Sequence, residues 1–204
     1  IQSLPNATAL NTNITAATPG THLLLFEANN GATLVQDSVY YTVNPPINYQ
    51  NPPIGTKNGA CMLNDSTAIF QLYAPEKQHV YVLGSFNNYL PTAQYHMNCS
   101  LDSTRWWLVV DNLQAGQVYT YQYLITNQGK YADPMSTLVL DPSNDQFVGA
   151  NTFPSMPAYP TGLTSGIVSV LYTTPATYNW LNTSFNPPAK KDLVIYELLV
   201  RDFV

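Results

Sequence analysis

Val118-Tyr119-Thr120-Tyr121-Gln122-Tyr123-Leu124-Ile125 alternates Tyr119, Tyr121, Tyr123 and Ile125 with Thr120, Gln122 and Leu124, a period of two that belongs to a β-strand and not to a helix. One face of such a strand joins a core, and the other is open to solvent or ligand. Asp111-Asn112-Leu113-Gln114-Ala115-Gly116 supplies a hairpin turn back to RWWLVV at 105–110, and Asn127-Gln128-Gly129 closes the next turn. Farther upstream, 67–74 places Ala68, Phe70 and Leu72 on one face, and 79–83 is a short apolar strand. Trp106 and Trp107 are adjacent, so they point to opposite faces, one to a core and one to an interface. These runs, each bounded by turn residues, predict an all-β sandwich over 56–145.

The flanking segments have their own patterns. THLLLFEA at 21–28 follows Pro19-Gly20 and precedes Asn29-Asn30-Gly31, and Val39, Tyr41 and Val43 then alternate with Ser38, Tyr40 and Thr42. Together with a weaker earlier strand, these predict a partial immunoglobulin-like β-domain over 1–45, since a full one needs about seven strands. A stiff Pro-rich linker covers 46–55. Pro154, Pro157, Pro160, Pro175, Pro187 and Pro188 make 146–190 an extended connector, with one short strand near 166–172, draped over the neighbouring unit. Leu193 to Val200 is an almost unbroken apolar run of the kind buried on both faces of a parallel sheet. It reads as the opening strand, within 191–204, of a further domain, and the chain as part of a larger polypeptide. Alone, 190–204 would be prone to self-association.

Composition narrows the function. Of 204 residues, 45% are hydrophobic, enough for a substantial core. Only 9% are charged, against about 25% in an average domain. Seven Lys and Arg against twelve Asp and Glu give a net charge of −5, which argues against nucleic acid or an anionic membrane as partner. No run approaches the roughly 20 apolar residues of a membrane span. The neutral, amide- and hydroxyl-rich surface predicts an extracytoplasmic setting, whether secreted, periplasmic or cell-surface. Cys61 and Cys99 allow one bridge or two free thiols, and free thiols are expected. His22, His79 and His96 are scattered away from the cysteines, and Asp133 and Asp141 precede prolines as turn formers do, with Asp145 close behind. No metal site is predicted. A phosphate-cradling glycine loop and a nucleophile elbow are both missing, so no cofactor is expected.

The run Val80-Tyr81-Val82-Leu83-Gly84-Ser85-Phe86-Asn87-Asn88-Tyr89, followed by Trp107 and GQVYTYQYLITNQGKYADP at 116–134, resembles a family-48 carbohydrate-binding module. That module is the starch- and glycogen-binding sandwich preceding the catalytic barrel in isoamylases, pullulanases, branching enzymes and related α-amylases, and a similar one occurs in the β subunit of AMP-activated protein kinase. LVIYELLVRDF at 193–203 resembles the first barrel strand of glycoside hydrolase family 13. The two resemblances together imply the accessory region of an α-glucan-active family-13 enzyme, with the rest of its catalytic barrel missing from this chain. A free glycogen-binding regulatory module and an adhesion-type β-protein are the alternatives.

The resemblance implies aromatic platforms at Tyr89 and Tyr131 with Gln122 between them on one outward face, and hydrogen bonds from Asn87, Asn88 and Asn127. Physically, Gly84 would adopt backbone angles closed to other residues while Ser85, Asn87 and Asn88 bond the turn and present Tyr89 outward. A pyranose packs its CH face on an aromatic ring and sends its hydroxyls to amide partners. The family's best binders carry tryptophan at both platforms and lysine at the third position, where this chain has Tyr89, Tyr131 and Gln122. Two rings covering about 80–100 Å² each at about 25 cal/mol per Å² give roughly 4–5 kcal/mol. Association costs at least about 4 kcal/mol, so α-glucan affinity is expected to be millimolar or absent, with packing on the barrel the rival role. A retaining hydrolase needs two carboxyl groups about 5–5.5 Å apart, supplied in family 13 by later barrel strands. This chain has no catalytic pair, and Glu197 reads as a structural charge of the first strand.

Overall fold

The computed structural model describes residues 18–29, 31–174, 179–181 and 184–198. They fall into two units, Ile1–Thr174 and Pro175–Val204. The weaker strand expected before residue 18 lies outside the described residues.

In the first unit, β1 (Gly20–Asn29) and β2 (Leu34–Val43) form an antiparallel hairpin paired from Gly20↔Val43 to Asn29↔Leu34. These are the two strands legible in 1–45. Next come β3 (Gly59–Asn64), β4 (Thr67–Tyr73), β5 (Val80–Gly84), β6 (Asn98–Cys99), β7 (Arg105–Val110), β8 (Val118–Ile125), β9 (Gly129–Tyr131), β10 (Val139–Leu140) and β11 (Val168–Tyr172). They make a four-stranded sheet in the order β3-β4-β7-β6 and a five-stranded one in the order β10-β11-β8-β5, with β9 also on β8. Every strand pair is antiparallel. The fold is all-β, in keeping with a sandwich.

The core is what period-two patterning requires. Ala68, Phe70 and Leu72 of β4 and Trp106 and Val110 of β7 meet Val80 and Val82 of β5 and Tyr121, Tyr123 and Ile125 of β8. Phe70 packs edge-on against Tyr121 with ring centroids 4.9 Å apart. Trp106 is fully buried there and donates its indole N–H to the Ala74 carbonyl at 3.1 Å.

The linker and the prolyl stretch 154–167 pack closely on this unit. Tyr49 bridges Cys99 in parallel, and the indole N–H of Trp107 donates to the Gln50 carbonyl at 2.7 Å, so the linker runs beside β6 at the edge of the four-stranded sheet and Trp107 reaches it. The short strand expected near 166–172 is β11, and it sits between β10 and β8. The prolines of 154–160 precede it without interrupting it, so the sheet draws on residues well past 145. Both cysteines are free thiols, Cys61 exposed and Cys99 buried.

The second unit holds a 3-10 turn at Lys190–Asp192. The strand expected at 193–200 is not formed over 193–198, where Val194, Ile195 and Tyr196 are exposed. Extended backbone becomes a strand only beside a neighbour that satisfies its N–H and C=O groups, and this stretch pairs with none of the described residues. Residues 199–204 lie outside the description, as does the end of that expected strand. No described helix is long and apolar enough to cross a membrane.

Candidate functional site

The turn after β5 is built by Asn87. Its Oδ1 accepts the Gly84 N–H at 2.8 Å and the Tyr89 N–H at 3.1 Å, and its Nδ2 donates to the Val82 carbonyl at 3.1 Å. Asn87 is therefore occupied with the turn itself. Gly84 serves differently from the expectation: its φ of −163° is ordinary extended backbone, and what it provides is room. A Cβ there would sit 2.5 Å from the Phe86 ring and 2.9 Å from the Thr120 carbonyl. The left-handed positions are Asn88 at φ 53° and Tyr89 at φ 57°, and this pair turns the Tyr89 ring back over the sheet.

Tyr89 is accordingly not an outward platform. It is 3% exposed, packs with Tyr81, Leu83, Leu140, Val168 and Val170, and bonds the Thr120 hydroxyl at 2.6 Å. Burial pushes its phenol up to about 12 despite that bond, with Tyr159 adding to the shift. Gln122 is likewise not on an open face: it is fully buried. Its Nε2 donates to the Ser165 and Ile167 carbonyls at 2.9 and 2.7 Å, and its Oε1 accepts the Thr164 hydroxyl at 2.7 Å. The segment 154–167 thus lies over the outer face of β8 as a strap, with Met156 and Tyr159 packed on the Tyr81 and Tyr89 cluster. A face that the strand pattern leaves open is closed by the chain's own connector.

Tyr131 falls elsewhere. β9 pairs Tyr131 with Tyr123 and Lys130 with Leu124, and residues opposite one another share a face. Tyr131 is therefore on the side of core-facing Tyr123, while Lys130 is on the Leu124 side and donates its Nζ to the Thr164 hydroxyl of the strap at 3.0 Å. The three-residue turn 126–128 fixes this register, and a one-residue difference inverts it. Tyr131 is 48% exposed and donates its hydroxyl to the Gln128 carbonyl. Asn88 and Asn127 are exposed too, but at opposite ends of β8: Gly84, before the first, pairs with Tyr121, and Asn127 follows Ile125. The six residues are not assembled into one surface.

Two polar clusters escaped the sequence analysis. Asp133, read as a turn former, is buried, and its Oδ2 accepts the Tyr121 and Tyr123 hydroxyls at 2.8 and 3.1 Å, while its N–H donates to Ser169 of β11 at 2.7 Å. Burial and the neighbouring Asp133 charge push both phenols up. The signal was present in the two tyrosines on the core face of β8, whose hydroxyls need a partner once buried. The second cluster is a histidine pair, His79 Nδ1 to His96 Nε2 at 3.0 Å. Burial, then the neighbouring His79, lower His96 to about 4, and burial lowers His79. Among the described residues no group of three or more His, Cys, Asp or Glu is placed to hold a metal ion.

No curated protein matches the chain. Residues 55–143, which hold β3 to β10 and the Gly84 to Tyr89 turn, match the family model described as carbohydrate-binding module 48 (isoamylase N-terminal domain), the family that this stretch resembles.

Proposed function

We propose that this chain is a non-catalytic accessory region of an α-glucan-active family 13 glycosidase, in which the module at 55–143 acts chiefly by packing and holds α-glucan weakly. The observation that carries this reading is the closure of the Tyr89 and Gln122 face by residues 154–167, whose backbone carbonyls and Thr164 hydroxyl occupy the Gln122 carboxamide. Stacking two sugar rings on Tyr89 and Tyr131 at once is incompatible with a sheet that separates them onto opposite faces. The barrel role rests on the resemblance of 193–203 alone, and an extracytoplasmic setting on composition. Reading the coding sequence beyond Val204 tests the proposal: a barrel with paired carboxylates on later strands is expected, and a stop codon at that point would refute it. The isolated chain is expected to release no reducing ends from amylose or maltoheptaose.

A further inference from the structure

On the side of the sandwich away from the strap, the linker and the four-stranded sheet enclose a cleft of about 400 Å³. Its walls include Asn51, Pro52 and Pro53 of the linker and Leu101, Asp102 and Arg105 of the β6–β7 corner. Polar capacity is left over here, unlike at Gln122. Asp102 uses Oδ1 for Ser100, the Thr104 N–H and the Thr104 hydroxyl, so Oδ2 is unpartnered among the described residues. Asn51 uses Oδ1 for the Leu101 N–H at 3.1 Å, and its Nδ2 has no partner among the described residues. The Arg105 guanidinium makes no hydrogen bond or ion pair with the described residues; Asp102 is held low chiefly by the Ser100 and Thr104 hydrogen bonds, with the Arg105 charge adding to them. Beside it, opposite in the β4–β7 register, stands Tyr73, 58% exposed.

We infer that this cleft is an oligosaccharide contact site of the chain. One cation and one carboxylate leave it without net charge, which disfavours an ionic ligand, whereas a guanidinium, a carboxylate and an amide together offer both donors and acceptors to the hydroxyls of a neutral sugar. Pro52, Pro53 and Leu101 supply the apolar surface for its CH face, and Tyr73 extends that surface at the rim. The inference rests on the carbohydrate-module reading for its choice of probe, α-1,4-linked glucose, but places the sugar on the opposite sheet from Tyr89 and Gln122.

Trp107 supplies the reporter, because its indole N–H is bound to Gln50, next to the Asn51 wall. The intact ¹⁵N-labelled chain is titrated with maltoheptaose while the Trp107 indole cross-peak is followed. A saturable shift is expected in the millimolar range, weakened roughly fivefold or more by Arg105→Ala, the loss of one charge-assisted hydrogen bond. Asp102→Asn, which keeps the Oδ1 acceptor and the corner intact, should weaken it similarly, and Tyr131→Ala should leave it unchanged. Binding that survives Arg105→Ala and is lost in Tyr131→Ala overturns the cleft and leaves the accessory reading standing. Absence of any shift up to the solubility limit of the sugar also overturns the cleft, whereas a stop codon after Val204 would refute the accessory reading alone.

Discussion

Acidification to pH 4 should destabilise the sandwich through one buried ring. His96 is 8% exposed, bonded to His79 at 3.0 Å and packed against Tyr81 and Trp106 with centroids 4.9 and 6.4 Å away. None of these neighbours is an anion that would welcome a second proton. Its folded value of about 4 lies below the ordinary 6.5. Above pH 6.5 the ring is neutral in both states, so its contribution is fully present there. As pH falls toward 4 the unfolded chain takes up a proton that the folded one refuses, and stability falls by about 1.4 kcal/mol per pH unit. The total is about 3 kcal/mol, and the curve flattens below 4. His79, lowered in the same direction, adds to the loss. Asp102 and Asp141, held low by local hydrogen bonds, lose their share only below their ordinary 3.8, under this window. Urea unfolding at half-unit steps from pH 7.5 to 4 measures the curve, and His96→Phe, which keeps a ring in place, should remove most of the slope. An unchanged slope in His96→Phe would refute the reasoning.

Two substitutions test the packing. Gly84→Ala puts a methyl 2.5 Å from the Phe86 ring and 2.9 Å from the Thr120 carbonyl and should cost about 1–3 kcal/mol in urea unfolding; an unchanged midpoint would refute the steric role of this position. Asp133→Ala strips the acceptor from the buried Tyr121 and Tyr123 hydroxyls and should cost about 2–5 kcal/mol, while Asp133→Asn, which retains an acceptor oxygen, should cost distinctly less.

The sequence carried the strands of this molecule clearly and their long-range arrangement poorly. Alternation in 105–110 and 118–125 is a local property of the chain, and β7 and β8 begin and end at those residues. Trp106 and Trp107 divide between core and linker face as adjacency on a strand requires. What alternation does not contain is what lies on the second face. Gln122 looks solvent-facing by pattern, and only a strap more than forty residues away in sequence buries it. Tyr131 and Lys130 exchange faces with a single step of register set by the 126–128 turn, so matching an aromatic to a family position did not settle which side it occupies. The Gly84 to Tyr89 turn was visible as a turn, but its strained positions are Asn88 and Tyr89 and not the glycine. Residues 193–198 show the converse: an apolar run with strong strand character forms no strand.

The most direct test of the closed face is the accessibility of its tyrosine. Nitration of the folded chain with tetranitromethane, mapped by peptide mass spectrometry, compares Tyr89 at 3% exposure with Tyr131 at 48%. Tyr131 and Tyr73 should be modified early, and Tyr89 should stay unmodified until the chain unfolds. Nitration of Tyr89 at the rate of Tyr131 in the native chain would contradict the account.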